Sequence, residues 1–564
     1  MSKIVNETAE KIKKIIYTAI SKAIDEKLLL KGEISQFIVE IPADNAHGNF
    51  SSNVAMTCAK NFKIAPRNLA QIVIDKMDLN GAAIAKAEVA GPGFINFFLS
   101  EAFFAEVVND ILTSEEDYGK SDYGENKKVM VEFVSANPTG PMHIGNARGG
   151  ALGDCLASVL EAAGFDVFRE FYINDAGNQI DKFALSLDVR YQQIFKGEDT
   201  VPLPEDSYHG EDIAALARDF ADSYGEGFLE KSESERRKAL VEFALPRNIK
   251  KMQVDLEKYR ITYDNWFHES DLHKDGEVDD IIELFKARGL TYEKEGALWY
   301  KATELGLEKD EVLVRKNGTP TYFASDIAYH YNKFVKRKFD LCIDLLGADH
   351  HGHVARLKKT MRAIGIDEER LDILLFQLVR LIQDGKVVKM SKRTGKAIQL
   401  ADLLDEVPID SVRFIFNMRE ANSQMDFDLD LAKKRDSQNP VYYVQYAHAR
   451  ICSILKLYKE KYASCKWQVP PEFFKVAMPV EKDLIWQLSL YTSEIIASAK
   501  NYDPARITRY VVDLAALFHK FYNSCKILCE DEALMVPRVL LCKCTKIVIK
   551  NVLDMFKISS PEEM

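Results

Sequence analysis

The sequence predicts an α/β enzyme in several parts: a Rossmann-like catalytic domain with a helical insertion, an α+β N-terminal domain, and an all-α C-terminal bundle. Three observations carry this. An apolar strand, Val129 to Val134, runs through the loop Ser135 to Met142 into a helix reaching about Ala163, and a second strand follows around Val167 to Tyr172. That is a βαβ start. The alternation resumes with a strand from Asp340 to Leu346, a helix from Val354 and a strand from Ile373 to Val379. From about residue 410 no strand pattern stands out, and apolar stretches such as Tyr442 to Leu457 and Leu484 to Lys500 have helical periodicity.

A chain of 564 residues is too long for one core and suggests roughly three or four domains. With 47% apolar and 29% charged residues it has the composition of a globular protein. A net charge of -11 argues against a surface coated with positive charge for unspecific DNA binding, although local basic patches decide RNA binding. Residues 1–112 form the first unit. Its opening helix repeats Ile12, Ile15, Ile16 and Ile20 between lysines, which is amphipathic and unlike a signal peptide. The unit ends in the turn Gly91-Pro92-Gly93 and the strand from Phe94 to Leu99. The polar stretch 113–127 reads as a linker. Residues 125–409 form the catalytic domain, with residues from about 185 to 300 as a charged helical insertion, and 410–564 form the bundle. No segment is long and apolar enough to span a membrane. Nine cysteines show no disulfide framework, which fits a cytoplasmic protein. Cys525/Cys529 and Cys542/Cys544 lack a CxxC partner, so buried thiols are expected and structural zinc is not.

The chemistry concentrates in two loops. Pro141-Met142-His143-Ile144-Gly145-Asn146 follows the first strand and opens its helix. A helix start offers free N–H groups and partial positive charge to phosphate. Gly140 and Gly145 permit close backbone approach, and His143 can donate to phosphate oxygens. The second loop, Lys389-Met390-Ser391-Lys392-Arg393 with Gly395 behind it, could follow charge onto a leaving pyrophosphate. Such a pair would hold a nucleoside triphosphate from two sides, at the C-terminal ends of the strands. Glu132 interrupts an apolar strand, and a buried acid costs several kcal/mol unless something positive meets it. Either an internal Arg or Lys meets it, or a cationic substrate does. In Gly347-Ala348-Asp349-His350-His351-Gly352-His353, three histidines and an aspartate could ligate a metal, contact nucleotide or simply pack.

Together these motifs resemble the class I aminoacyl-tRNA synthetases, and among them the arginyl-tRNA synthetases. The likeness runs from Gly91-Pro92-Gly93-Phe94 through Val131-Glu132-Phe133-Val134-Ser135-Ala136-Asn137-Pro138-Thr139-Gly140 to Tyr446-Ala447-His448-Ala449-Arg450 and the terminal Met564. One departure is Asn146, where the first signature of the class often ends in histidine. The resemblance implies an arginine–tRNA ligase that forms arginyl-adenylate from ATP, with Mg2+ on the triphosphate, and passes arginine to the terminal 2′-hydroxyl of tRNA(Arg). It implies His143, Asn146, Lys389 and Lys392 as catalytic, with Gly145, Met390 and Ser391 joining them around ATP. It places Glu132, Tyr322 and Asp326 around the guanidinium. Ser135, Asn137 and Asp349 would hold the amino acid's polar end. Tyr322 and Asp326 are four apart and share a face if a helix starts there. Two carboxylates suit a planar five-donor fork better than an ammonium. For tRNA it implies Phe94 and Asn96 at an exposed base, and Tyr443, Tyr446 and Arg450 toward the anticodon. Read alone, Phe94 and that tyrosine stripe are equally core positions. A monomer is expected.

Overall fold

The computed structural model describes residues 3–42, 44–388, 398–462 and 474–564. Helix Lys3–Asp25 buries Val5, Ile12, Ile16 and Ile20 along one stripe, as its periodicity predicts. It packs on a four-stranded antiparallel sheet in the order Val39–Glu40, Phe50–Ser52, Phe94–Leu99, Ile84–Ala90. Gly93 turns between the last two strands with φ of 140°, and a Cβ there would lie 2.8 Å from Pro66 Cβ. Glycine is therefore required on both conformational and steric grounds.

The central sheet is parallel throughout. Its strands are β1 (Lys128–Glu132), β2 (Asp166–Ile173), β3 (Asn265–His268), β4 (Leu341–Gly347) and β5 (Leu371–Phe376), in the spatial order β5-β4-β1-β2-β3. Strand order reverses between β1 and β4, so a crevice opens where their carboxyl ends diverge. Helix α1 (Ile144–Ala162) leaves β1 and lies on the sheet. It comes so close that a Cβ on Gly153 would sit 2.2 Å from the Phe133 ring. Helix α2 (Tyr322–Tyr331) and helix α3 (His351–Ala363) flank β4.

Three boundaries differ from expectation. The stretch read as one helical insertion is divided. Helices Asn178–Lys196, Glu211–Tyr224 and Glu233–Lys258 share a small core, but β3 then returns to the edge of the main sheet. Four half-buried residues, Asn265 to His268, carry no periodicity that would announce a strand. An antiparallel three-stranded sheet follows at Thr291–Lys294, Ala297–Tyr300 and Glu311–Val314. Second, Met425–Asp428 is a strand and pairs in parallel with Val379–Gln383, so residues beyond 410 complete the catalytic part. Third, the stretch 113–127 is anchored. Tyr118 is buried and donates to the Leu488 carbonyl, and Asn551 donates to the carbonyls of Glu115 and Tyr118. The N-terminal unit also docks on the bundle, with Trp486 against Phe50 and Phe103. The bundle includes α4 (Pro440–Lys461), α5 (Ala505–Ser524) and α6 (Glu532–Met555). Cys525, Cys542 and Cys544 are buried there, Cys529 is half-buried, and burial pushes the Cys542 and Cys544 thiols up. Among the described residues no helix is long and apolar enough to cross a membrane.

Candidate active site

Immediately beyond β1 the backbone turns sharply. Val134 and Ser135 have φ of 70° and 40°. For a β-branched valine this is a true outlier, costing on the order of 1–3 kcal/mol, and such strain gathers at functional sites. The turn brings Ser135 Oγ back to donate to Glu132 Oε1 at 2.9 Å, while Ser135 Oγ accepts from the Tyr172 N–H at 3.1 Å.

Glu132 is buried, and its counter-charge comes from the chain itself. Lys333 Nζ lies 2.7 Å from Glu132 Oε2 and 2.8 Å from Asp344 Oδ1. Of the two partners the buried acid left open, the internal basic residue is the one present, and the guanidinium contact that the resemblance implies for Glu132 is corrected. Past α2 the chain widens into a π-helical turn, Asn332–Lys336, which carries Lys333 over the Tyr329 ring. A residue 201 positions away supplies the charge. His330 completes the group, with Nε2 2.8 Å from Asp344 Oδ2 and Nδ1 2.8 Å from the Asp326 carbonyl. Both partners accept, so the ring donates from both nitrogens and is cationic. Two carboxylates thus face two cations. Burial pushes Glu132 up in spite of Lys333, whereas the Lys333 and His330 contacts hold Asp344 far below the usual carboxylate range.

A different acid lacks such compensation. Glu269, just after β3, is 2% exposed. Its basic neighbour is His273, with Nε2 at 3.9 Å. Burial raises its pKa to about 7; the nearby carboxylates of Asp326 and Asp175 add to this, and the hydroxyls of Ser325 and Tyr172 oppose it. Glu269, Tyr322, Ser325 and Gly177 line a pocket of about 380 Å³. Sequence reasoning missed Glu269; its signal was a Glu–Ser pair ending an unrecognised strand. Helix α2 does begin at Tyr322, and the Tyr322 hydroxyl accepts from the Gln179 N–H at 3.3 Å. One turn on, Asp326 Oδ2 lies 2.8 Å from His353 Nε2. Burial pushes Asp326 up, but the hydrogen bond from His353, together with the nearby charges of His330 and Lys333, offsets this and its carboxyl stays low.

His143 caps α1. Its Nδ1 accepts from the Gly145 N–H at 3.1 Å, and Asn146 Oδ1 accepts from the His143 N–H at 2.9 Å. This is a reciprocal capping box. It explains Asn at position 146 structurally: its oxygen closes the helix start and its amide N–H groups are left to donate. Partial burial lowers the His143 pKa. The ring is then neutral with Nδ1 accepting, so the proton is on Nε2. Lys389, Met390, Ser391 and Lys392 lie outside the described residues. Their described flanks do meet: Val388 and Ile398 line one small pocket. Gln399 bridges His143, and the Leu400 N–H donates to the Met142 carbonyl at 2.9 Å.

Asn137 is exposed beyond the strained turn. Asp349 is exposed on the turn after β4, 3.8 Å from His350 Nε2. Among the described residues no cluster of three or more His, Cys, Asp or Glu is arranged to hold a metal. Phe94 is half-buried, and Asn96 is buried with its Oδ1 accepting from Ser51 Oγ at 2.8 Å. On α4, Tyr446 and Arg450 are joined at 2.7 Å, with Tyr443 and Tyr446 beside the His519 ring of α5.

Comparison with known proteins places these features. A family model for the catalytic domain of class I (R) tRNA synthetases matches residues 107–450. A DALR anticodon binding domain matches 444–564, and an arginyl tRNA synthetase N-terminal domain matches 10–99. The chain is 52% identical, over the whole of both chains, to the arginine–tRNA ligases of Acetivibrio thermocellus and Ruminiclostridium cellulolyticum. It is similar in fold to the arginyl-tRNA synthetase structure of Thermus thermophilus, with a TM-score of 0.72 at 23% identity, covering 97% of this chain and 99% of that one.

Proposed function

Because the chain belongs to the arginyl-tRNA synthetases of class I, we infer that the crevice between β1 and β4 is where arginine meets ATP. The protein is an arginine–tRNA ligase. The observation that carries it is a pair of acids, Glu269 buried and Asp326 half-buried, without a lysine or arginine ion-pair partner among the described residues and flanked by Tyr322. A planar guanidinium supplies donors to both carboxylates at once. Glu132, already matched by Lys333, serves as fixed architecture: it orients Ser135 and the strained turn that presents Asn137 to the amino acid's polar end. Asp349 at the rim supplies negative charge for the ammonium.

The arginine carboxylate then attacks the α-phosphate in line, and pyrophosphate leaves. Catalysis is positioning and electrostatics. The α1 N-terminus, the His143 Nε2–H and the Asn146 amide donate to phosphate oxygens from one side, and Gly145 leaves room for their close approach. Lys389 and Lys392, with Met390 and Ser391, are assigned to the other side, since Gln399 on their C-terminal flank bridges His143. Magnesium travels with ATP and neutralises the triphosphate. The 2′-hydroxyl of the terminal adenosine of tRNA(Arg) next displaces AMP from the adenylate carbonyl. We assign the bundle to the anticodon, through Tyr443, Tyr446 and Arg450, and residues 1–112 to the tRNA body, through Phe94; Asn96, buried and bonded to Ser51, supports that strand from within. A cytoplasmic monomer completes the reading.

ATP–pyrophosphate exchange with each amino acid, with and without tRNA, tests the substrate. Exchange with arginine alone is expected. Equal exchange with any uncharged amino acid would overturn the assignment.

A further inference from the structure

His330 and His353 both contact Asp326, the first at its backbone carbonyl and the second at its carboxylate, and their surroundings give them different charges. His330 faces two acceptors and is cationic, as argued above. His353 faces one acceptor and one obligate donor. Its Nε2 is 2.8 Å from Asp326 Oδ2, and its Nδ1 is 2.6 Å from Arg356 Nη2. A guanidinium has no lone pair to offer, so it donates and His353 Nδ1 must accept. The imidazole is therefore neutral, with its single proton on Nε2, pointing at Asp326.

Arg356 is itself fixed. Its Nη1 donates to Glu311 Oε1 at 3.0 Å, and its guanidinium covers the Phe323 ring at 4.6 Å. The groups around His353 are thus Asp326 and Phe323 on α2, Arg356 on its own helix with Glu311 behind it, and the loosely paired Asp349 and His350 on the turn before. A chain of hydrogen bonds runs Glu311–Arg356–His353–Asp326.

We propose that Arg356 and His353 are positioning residues for arginine recognition: Arg356 locks His353 as a neutral donor, so that His353 orients the Asp326 carboxylate without consuming its charge. An imidazolium at the same place would be a resident counter-ion, and the incoming guanidinium would have to displace it. The relay thus keeps Asp326 both aimed and negative. The proposal rests on the reading that Asp326 binds the guanidinium.

Arginine dissociation constants measured from pH 5.5 to 8.5 test it. Arg356→Met frees Nδ1 to take a proton. The ratio of its arginine Kd to that of the wild type should be near one at pH 8.5. It should rise at least ~10-fold by pH 5.5, one unit below an ordinary imidazole pKa. Taking the ratio cancels the wild-type titration of Glu269. Arg356→Lys, whose ammonium can only donate, should keep the ratio flat. The double variant Arg356→Met/His353→Gln should also lose the pH dependence. A pH-independent ratio in Arg356→Met, or a pH dependence surviving in the double variant, would overturn the relay. Asp326→Asn separates the two claims. If it leaves arginine affinity unchanged, the underlying reading fails and the relay with it. If it weakens binding while the Arg356→Met ratio is flat, the relay alone fails.

Discussion

Arginine binding should release a proton, and Glu269 should be its source. In the free enzyme burial holds this carboxyl at about 7. A guanidinium seated against it favours the carboxylate and returns its pKa toward or below the ordinary value near 4.5. Below pH 7 binding must first expel the proton, so the apparent Kd scales as one plus ten to the power of seven minus pH. Between pH 8 and pH 6 arginine should bind about tenfold more weakly. About half a proton should leave per arginine at pH 7, and about nine-tenths at pH 6. Isothermal titration in buffers of different ionisation enthalpy reads both quantities. Glu269→Gln should abolish the Glu269 share of the proton release and weaken binding by at least ~30-fold, since a charge-assisted partner in a desolvated site is lost. The same group makes a folding statement of opposite sense. An acid whose folded pKa is raised takes up protons on folding between pH 4.5 and 7, so its contribution falls as pH rises through that window. Above pH 7 it costs about 3 kcal/mol, which Glu269→Gln should relieve. Proton release unchanged in Glu269→Gln, or an affinity independent of pH in the wild type, would refute this account of the pocket.

Other expectations concern the surrounding architecture. Lys333→Met should lower stability by about 3–5 kcal/mol, because two buried carboxylates lose their shared cation; a denaturation midpoint within error of wild type would count against the cluster as drawn. His143→Ala removes the α1 cap and the Nε2 donor, and should slow adenylate formation about 10²–10³-fold with little change in arginine affinity; a pure loss of arginine affinity would place the ring elsewhere. Lys392→Ala should likewise slow adenylate formation in single-turnover measurements, and equal rates would remove it from the phosphate site.

Much of this molecule was legible from its residues, for identifiable reasons. The strand-to-helix passage through His143 was visible because the strand is an apolar run and the loop is marked by Pro138, Gly140 and Pro141. Tyr322 and Asp326 could be put on one helical face because a four-residue spacing has one geometric meaning there. What stayed hidden was set by tertiary structure. The counter-charge of Glu132 lies on a π-helical turn, and no local pattern ties Lys333 to a strand 201 residues earlier. Glu269 follows a four-residue edge strand too short to show alternation, so its burial was invisible. Asn146 stands out in the sequence only as a departure from histidine, whereas its oxygen closes a capping box whose other half is the His143 ring. The strand Met425–Asp428 alternates buried and less buried positions for only four residues, and it pairs with a partner more than forty residues away.

The central claim is that a pair of acids, the buried Glu269 and the half-buried Asp326, selects a forked cation, and citrulline probes it most directly, since it replaces the guanidinium with a neutral urea of nearly the same shape. Adenylate formation should favour arginine over citrulline by on the order of 10⁴-fold in kcat/KM at pH 8, because an uncharged mimic leaves buried acceptors without their charged partner. Preference within ~10-fold would contradict the account, whatever the shape of the pocket.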